Sequence, residues 1–427
     1  MTSERLVVTG AAVLAVDEPY FLYDHTIAIQ DGRIEQIGPS GDVEHRQSDV
    51  MLDVTGCFIV PGLVDAHFHL VSRSTAVVDE QLVAHGLVEG VVNALERLRG
   101  GVTTVRDAGC RHSGIFALRR AIELGLVPGP RAYVAGTNPT GPTAPGHWRN
   151  VVIRGAREMR SAIDAQLDAG ADWVKCVLAH AEDPAEWDNT MIYLTEDELV
   201  VAVQAAHERG ARIGVHCEGY EAAALAVRCG VDALDHAPLV DRATAEMMAE
   251  RGVVYIPTVW AFSDDAGVDF EILEPGRRRR IEYWRNEHKA SVARALELGV
   301  TIAAGSDAAG SLPAADVLVN ELEALVECGL QPYQALIAAT SGSAQALGAN
   351  EIGRLSPGAS ADLVCTTSNP LGSLAALRDP AVVISRGAIV AGSRFSNLGR
   401  TKQELATIGS AYSDSTDRWV VDEADNT

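Results

Sequence analysis

His67 and His69 stand two positions apart, after the apolar run 57–60, the Pro61-Gly62 break and Leu63-Val64. Alternate residues of a β-strand point to the same side, so both imidazoles are expected on one face of a strand end. Two imidazoles placed in this way can bind one divalent metal ion. A lone His-x-His pair also occurs by chance, so its meaning depends on the rest of the chain.

Four more polar residues follow apolar segments with the composition of strands. They are Lys175 after 171–174, His216 after 212–215, His236 after 232–235 and Asp307 after 302–306. Each has an ordinary explanation alone: a surface lysine, a hydrogen-bonded structural histidine or an aspartate that caps a helix. The carboxyl ends of barrel strands, however, meet at one mouth. The six residues together therefore predict one metal-dependent site.

The elements that must position these residues alternate between 57 and 352. Strands are predicted at 57–64, 102–105, 131–135, 172–178, 212–216, 231–235, 253–257 and 300–304. Helices are predicted at 79–99, 157–169, 195–209, 220–229, 241–250, 278–298 and 313–327, commonly with glycine near their ends. This α/β pattern predicts a (β/α)8 TIM barrel. An open doubly wound sheet is the alternative, but the chain lacks the glycine-rich phosphate loop typical of nucleotide-binding folds of that kind.

Short alternating segments without a helical period occupy both chain ends, and Asp31-Gly32 predicts a hairpin turn. We expect residues 1–56 and 353–398 to form one small β-sandwich domain around the barrel of 57–352. We expect residues 399–427 to form a polar C-terminal tail.

Composition limits the partners. The net charge of −23 argues against nucleic acid and against anionic membrane surfaces. No stretch is long and apolar enough to span a membrane, and the N-terminus lacks the pattern of a signal peptide. Seven scattered cysteines suit buried free thiols in a reducing compartment. We therefore expect a cytoplasmic protein that acts on a small molecule.

With these motifs the sequence resembles the amidohydrolase superfamily over nearly the whole chain. The resemblance rests on 61–69 (PGLVDAHFH), 101–107 (GVTTVRD), His216, Asp235-His236, 305–307 (GSD) and 358–364 (GASADLV). Within the superfamily the chain is most similar to the prolidase, carboxypeptidase and ochratoxinase-like branch, and it is also close to the imidazolonepropionase-related proteins.

The resemblance implies a homo-oligomeric hydrolase with two divalent ions, most readily zinc. His67, His69 and Asp307 would bind the first ion, and His216 and His236 the second. Lys175, carboxylated by CO2, would bridge both, because a carbamate has the lone pairs that an ammonium lacks. The ions would share a hydroxide that attacks an amide-type C–N bond, with Asp307 moving its proton.

The loop 141–148 (GPTAPGHW) matches a segment of that branch that supplies a carbonyl-polarising histidine, so His147 is expected to stabilise the oxyanion. Two departures concern the substrate. The segment after Lys175, 176–180 (CVLAH), replaces a Ser-Gly-Gly type of segment. Glu218 stands near the place of a tyrosine that helps to hold a peptide carboxylate, and Tyr220 is displaced. Both are assigned as substrate contacts, and an acid there favours a neutral or cationic amide.

Other functions on this fold stay open at this point. A mononuclear deaminase usually lacks the bridging lysine and carries a glutamate three residues after the fifth-strand histidine, whereas Glu218 follows His216 by two. A phosphotriesterase would use the same two ions. A non-catalytic scaffold protein would be expected to lose ligands, and all six are present here.

Overall fold

A computed structural model of the protein describes residues 4–16, 18–71, 80–110, 112–145, 151–181, 184–263, 275–308 and 314–392. The strands are β1 (Leu6–Leu14), β2 (Phe21–Gln30), β3 (Arg33–Pro39), β4 (Val50–Asp53), β5 (Phe58–Pro61), β6 (Leu63–Phe68), β7 (Val102–Asp107), β8 (Arg131–Val134), β9 (Pro139–Thr140), β10 (Val151–Val152), β11 (Trp173–Val177), β12 (Ala179–His180), β13 (Met191–Ile192), β14 (Arg212–Cys217), β15 (Ala233–His236), β16 (Val254–Ile256), β17 (Leu363–Thr366), β18 (Val382–Ser385) and β19 (Ala388–Ala391).

The α-helices are α1 (Glu80–Arg99), α2 (Gly114–Glu123), α3 (Ala156–Asp168), α4 (Glu196–Glu208), α5 (Tyr220–Cys229), α6 (Arg242–Arg251), α7 (Pro275–Glu297), α8 (Ala314–Glu327), α9 (Pro332–Ile337) and α10 (Ser343–Leu347). The chain is therefore of the α/β class, as predicted. Each of the seven helices predicted from the sequence is present, with its ends within three residues of the expected ones.

The helix ends lie where capping chemistry places them. Thr195 caps α4, since its hydroxyl accepts the Glu198 N–H while the Glu198 carboxylate reaches back to the cap. Gly230 and Gly252 end α5 and α6 in the left-handed conformation. These signals are local in the sequence, which is why helix boundaries could be predicted from it.

Strands from both ends of the chain form one mixed eight-stranded sheet, in the order β19-β18-β17-β5-β1-β2-β3 with β4 beside β1. The link between the two ends is the antiparallel pairing of β17 with β5. Asp31 and Gly32 both have positive φ in the turn between β2 and β3. That geometry matches the twist of a two-residue hairpin, so the predicted turn is confirmed.

The central strands are parallel and belong to two sheets. One has the order β6-β7-β8, and the other has the order β10-β9-β11-β14-β15-β16. Hydrogen bonds occur at both junctions between them. At one junction Asp172 N, just before β11, donates to Val134 O of β8 over 2.9 Å.

The second junction is the segment 302–307, where an eighth strand was expected at 300–304. The structure has a single bridge there, between Tyr255 and Ile302, instead of a regular strand. Ala303 N nevertheless donates to Tyr255 O over 2.8 Å, and Ala66 N donates to Ala304 O over 2.9 Å. The segment thus lies between β16 and β6 and is hydrogen-bonded to both.

The seven cysteines are all free thiols, and six of them are buried, as expected from their apolar surroundings. Among the helices described, none is both long enough and apolar enough to cross a membrane.

Candidate metal centre

The first group of candidate ligands lies where β6 meets the segment 302–307. Nε2 of His67 is 3.2 Å from Oδ1 of Asp307, and Nε2 of His69 is 3.5 Å from the same oxygen. One donor atom of each residue lies within 4.8 Å of the other two. A tetrahedral zinc site with bonds of about 2.0–2.1 Å has ligand atoms about 3.3–3.4 Å apart. This group therefore has the donor types and the spacing that a divalent ion requires.

Contacts beneath this group hold the segment 302–307 against β6. The buried carboxylate of Asp65 accepts the Ser306 N–H at 3.0 Å and the Ser306 hydroxyl at 2.6 Å. Asp307 N donates to His67 O over 2.8 Å. At Gly305 a Cβ would lie only 2.6 Å from Cβ of His67, so only glycine allows this approach. Asp307 itself has a φ of 50°, a costly backbone conformation that persists where surrounding structure enforces it.

His216 and His236 lie side by side at the ends of β14 and β15. Their ring centroids are 4.3 Å apart, and the ring of His236 is 4.6 Å from that of His67. His236 also has a positive φ of 66°. The predicted ligands of the two ions are thus neighbours, with His236 between His67 and His216.

Lys175 lies in the middle of β11 and forms a buried ion pair with Asp235. The Asp235 carboxylate also contacts Nη1 of Arg106 at 3.0 Å and Nδ1 of His67 at 3.3 Å. The Arg106 guanidinium stacks 3.4 Å above the ring of Trp173. Burial by itself would raise the pKa of Asp235, but its three basic neighbours hold that pKa well below the usual range. Asp235 therefore carries a negative charge that connects Lys175 with His67.

Two of the candidate histidines have one ring nitrogen held by a neighbour. Nδ1 of His69 lies 2.9 Å from Gly109 O, and Nδ1 of His236 lies 2.8 Å from Oγ1 of Thr258. Metal-binding histidines are usually oriented in this way, since a partner on one nitrogen fixes the tautomer. Burial also lowers the pKa of His216 to about 3, which keeps that imidazole neutral, the form that binds metal.

A second group of close donor atoms consists of His180, His216 and Glu218. Oε1 of Glu218 is 3.0 Å from Nδ1 of His180 and 3.4 Å from Nε2 of His216. The sequence marked the segment around His180 and the position of Glu218 as two separate departures from the resembled pattern. Nothing in the sequence indicated that these two departures contact each other.

Two other predicted site residues are His147 and Tyr220. His147, expected to stabilise the oxyanion, lies outside the described residues. The Tyr220 hydroxyl lies 3.4 Å from Oε2 of Glu287 on α7. No role was predicted for Arg106 or Asp235, although both belong to motifs that carried the resemblance. The signal for them was a charged residue at the end of a predicted strand, since Arg106 follows the segment 102–105 and Asp235 ends the segment 231–235.

A sequence profile described as the Amidohydrolase family matches residues 58–390, which contain every candidate ligand. The chain belongs to the amidohydrolase family. It is therefore an enzyme, a metal-dependent amidohydrolase that acts on carbon–nitrogen bonds.

Two curated relatives illustrate its position in the family. The ochratoxinase of Aspergillus niger is 25% identical over 419 residues, which cover 88% of this chain and 84% of the relative. The imidazolonepropionase of Anaeromyxobacter dehalogenans is 27% identical over an alignment of 441 positions, gaps included. The alignment covers 90% of this chain and 96% of the relative.

Solved structures share the fold. A Xaa-Pro dipeptidase with bound methionine in its active site superposes with a TM-score of 0.79 at 23% identity, over 90% of this chain and 99% of that one. The ochratoxinase of A. niger superposes with a TM-score of 0.77 at 22% identity, over 91% and 96%.

Proposed function

We propose that this amidohydrolase uses two divalent ions to hydrolyse an amide-type C–N bond in an amide, peptide, carbamate or urea. One observation carries the proposal: side chains from β6, β11, β14, β15 and the segment 302–307 converge on one place although they are far apart in sequence. Burying this many imidazoles and carboxylates together costs free energy unless they are paired, and a bound metal ion would offset that cost.

The donor set fits the ions proposed. His67, His69 and Asp307 would hold the first ion, and His216 and His236 would hold the second. Imidazole and carboxylate donors suit zinc well, and a carbamate at Lys175 would add an oxygen donor between the two ions. When bound, such ions activate a water molecule near neutral pH and polarise the carbonyl of the substrate.

Carboxylation of Lys175 would replace a buried cation by an anion. The unmodified ammonium is paired with Asp235, so modification would place two negative groups near each other. Arg106 would then be the cation left beside Asp235, and the ions would balance the remaining charge. We therefore expect carboxylation and metal binding to depend on each other.

Asp307 is the residue proposed to move protons. Its side chain is 11% exposed, more than that of His67 or His69, so it lies on the open side of the first group. There its carboxylate would accept a proton from the attacking water and return it to the leaving amine. His147 remains the predicted donor to the developing oxyanion.

The substrate class is proposed from relatives and from charge. The relatives and structural neighbours include an ochratoxinase, a molinate hydrolase and a phenylurea hydrolase B. The negative charge of Glu218 disfavours a substrate carboxylate nearby, which supports a neutral or cationic substrate. The contact of Tyr220 with the substrate stays a prediction.

We also propose that the parallel strands close into an eight-stranded barrel. The hydrogen bonds at both junctions between the two central sheets support closure, and the segment 302–307 would take the place of the eighth strand. The mixed sheet of both chain ends would then be the separate small domain, with boundaries near residues 56 and 353.

The test combines metal analysis with an activity screen. Metal-replete protein supplied with CO2 is expected to contain two ions per chain and to hydrolyse a member of a panel of N-acyl amino acids, carbamates, arylureas and lactams. His216→Ala should lose one ion and the activity. His207→Ala is the matched control. His207 is an exposed histidine of α4 that pairs with Asp232, away from the site.

A stoichiometry of one ion in the wild-type protein would contradict the two-ion centre. Hydrolysis of phosphotriesters with no C–N bond cleaved in the panel would contradict the substrate class.

A further inference from the structure

Glu218 is a buried carboxylate whose two oxygens contact the metal centre and the neighbouring hairpin. It is 1% exposed. Oε1 lies between two imidazoles, 3.0 Å from Nδ1 of His180 and 3.4 Å from Nε2 of His216, and these two nitrogens are 3.2 Å apart. Oε2 accepts the backbone N–H of Ala181 at 2.7 Å. A buried carboxylate accepts hydrogen bonds readily, so both rings are placed to donate an N–H to it.

The backbone around Glu218 enforces this arrangement. Glu218 stands between β14 and Gly219, which has a φ of 89°. A Cβ at Gly219 would lie 3.1 Å from Trp187 O, so a side chain there would be both strained and crowded. The position of Glu218 is therefore set by a turn that glycine permits.

His180 is presented by the small hairpin of β12 and β13. Leu178 N donates to His216 O over 2.9 Å, which joins the base of the hairpin to β14. The Tyr193 hydroxyl donates to His180 O over 2.8 Å. Because the hairpin is anchored to the strand that carries His216, His180 and Glu218 keep a constant position relative to that histidine.

We propose that Glu218, supported by His180, is a positioning residue that orients His216 for the second ion. The inference rests on the two-ion centre proposed above. An N–H of His216 at Nε2, directed at Glu218, fixes the tautomer in which Nδ1 has the lone pair for a metal. The two nitrogens of an imidazole point to different sides, so one ring can donate to Glu218 and bind an ion. Carboxylate partners of metal-binding histidines act in this way, and losing one typically weakens metal binding about 10–100-fold.

This assigns Glu218 a different role from the one expected from the sequence, which placed it in contact with the substrate. Both of its oxygens already have protein partners, and its side chain does not reach the surface. His180 contributes by donating to the same oxygen, which holds the carboxylate against the ring of His216.

The experiment measures metal binding of chelator-treated protein by calorimetric titration with Zn²⁺ in CO2-supplied buffer. Glu218→Gln keeps the size of the side chain and an oxygen for the Ala181 N–H, but removes the negative acceptor. We expect the second ion to bind about 10–100-fold more weakly, while the first ion binds as in the wild type. Excess Zn²⁺ should restore much of the lost kcat, because the catalytic groups are still present.

Glu198→Gln is the matched control. Glu198 is also a buried glutamate that accepts a backbone N–H, from Gly155 at 2.6 Å, and it caps α4 away from the histidines. This variant should bind both ions as the wild type does. It thereby separates the loss of a buried carboxylate in general from the loss of this one.

A second readout does not depend on metal or on turnover. In ¹⁵N-histidine-labelled metal-free protein, NMR should show His216 with its proton on Nε2, and Glu218→Gln should shift the ring towards a mixture of tautomers. The inference is overturned if Glu218→Gln binds both ions with wild-type affinity, or if the tautomer of His216 is unchanged.

Two outcomes separate this inference from the proposals on which it rests. If the wild type itself binds one ion, the two-ion centre is wrong, and the failure belongs to that proposal rather than to the role of Glu218. If Lys175→Ala retains two ions while Glu218→Gln and His180→Gln each lose one, then His180, His216 and Glu218 ligate the ion directly. That result would replace the positioning role by a ligand role.

Discussion

Lys175→Ala is the substitution that tests the proposed centre most directly, because Lys175 has both a structural contact and a proposed role in metal binding. In the metal-free protein the change removes one partner of a buried pair and leaves Asp235 charged. Breaking such a pair by truncation typically costs about 3–5 kcal/mol. Arg106 and His67 still contact Asp235 at 3.0 and 3.3 Å, so we expect a loss at the lower end, about 3 kcal/mol.

In the metal-replete protein the same variant should also lose the bridging ligand. We expect the stoichiometry to fall from two ions towards one. Losing even a partner of a ligand typically costs about 10–100-fold in metal affinity or activity, so kcat should fall by more than about 100-fold here. Short carboxylic acids such as formate, acetate and propionate should restore part of the activity, because a carboxylate fits the space of the missing carbamate and has the same donor atoms.

The assay pairs metal analysis and turnover with thermal unfolding of the metal-free protein. Lys289→Ala is the control, since Lys289 forms an exposed ion pair with Glu327 at 2.6 Å. Exposed pairs contribute about 0–1 kcal/mol, so this variant should resemble the wild type in stability, ion content and kcat. Wild-type ion content and turnover in Lys175→Ala would refute the bridging role, and unchanged stability of its metal-free form would refute the buried pair with Asp235.

Three further predictions concern proton transfer, oxyanion stabilisation and acid sensitivity. Asp307→Asn retains an oxygen ligand but loses the base, so kcat should fall by about 10²–10⁴-fold while metal analysis still finds most of the metal; an unimpaired variant would contradict the role of Asp307. His147→Ala should retain its full metal content and lose about 10²–10³-fold in kcat on the identified substrate, and wild-type turnover would mean that no oxyanion contact comes from this loop. Burial lowers the pKa of His288 from 6.5 to about 3, so between these values the unfolded chain takes up a proton that the folded chain does not, and stability falls as the pH falls. His288→Gln should therefore show a smaller drop in melting temperature between pH 7 and pH 5 than the wild type, and an equal drop would contradict this explanation.

Much of the local structure could be predicted from the sequence because its causes are local. The capping box of Thr195 and Glu198, the glycines that end α5 and α6, and the hairpin turn at Asp31-Gly32 each involve residues within a few positions of one another. Hydrophobic periodicity located the helices for the same reason. The candidate ligands were also recognisable, since each is a polar residue at or near the end of an apolar strand.

The irregular pairing of the segment expected to be the eighth strand could not be predicted in this way. The segment 302–307 was expected to be a strand, but it meets its neighbours through a bridge, a few hydrogen bonds and the Asp65–Ser306 contacts. Backbone spacing there depends on the close approach of Gly305 to His67. Such an approach depends on both sides of the contact, and these are more than 200 residues apart in the chain.

By itself, the sequence determined which residues have the chemistry to bind metal and which elements carry them, because residue type and periodicity are properties of short segments. Only the tertiary structure decided which charged groups share a partner. Asp235 meets Lys175 and Arg106 across 60 and 129 positions of sequence, and Glu218 meets His180 across 38. Electrostatic and hydrogen-bond energies depend on distances of a few ångströms between atoms, and the packing of neighbouring strands sets those distances.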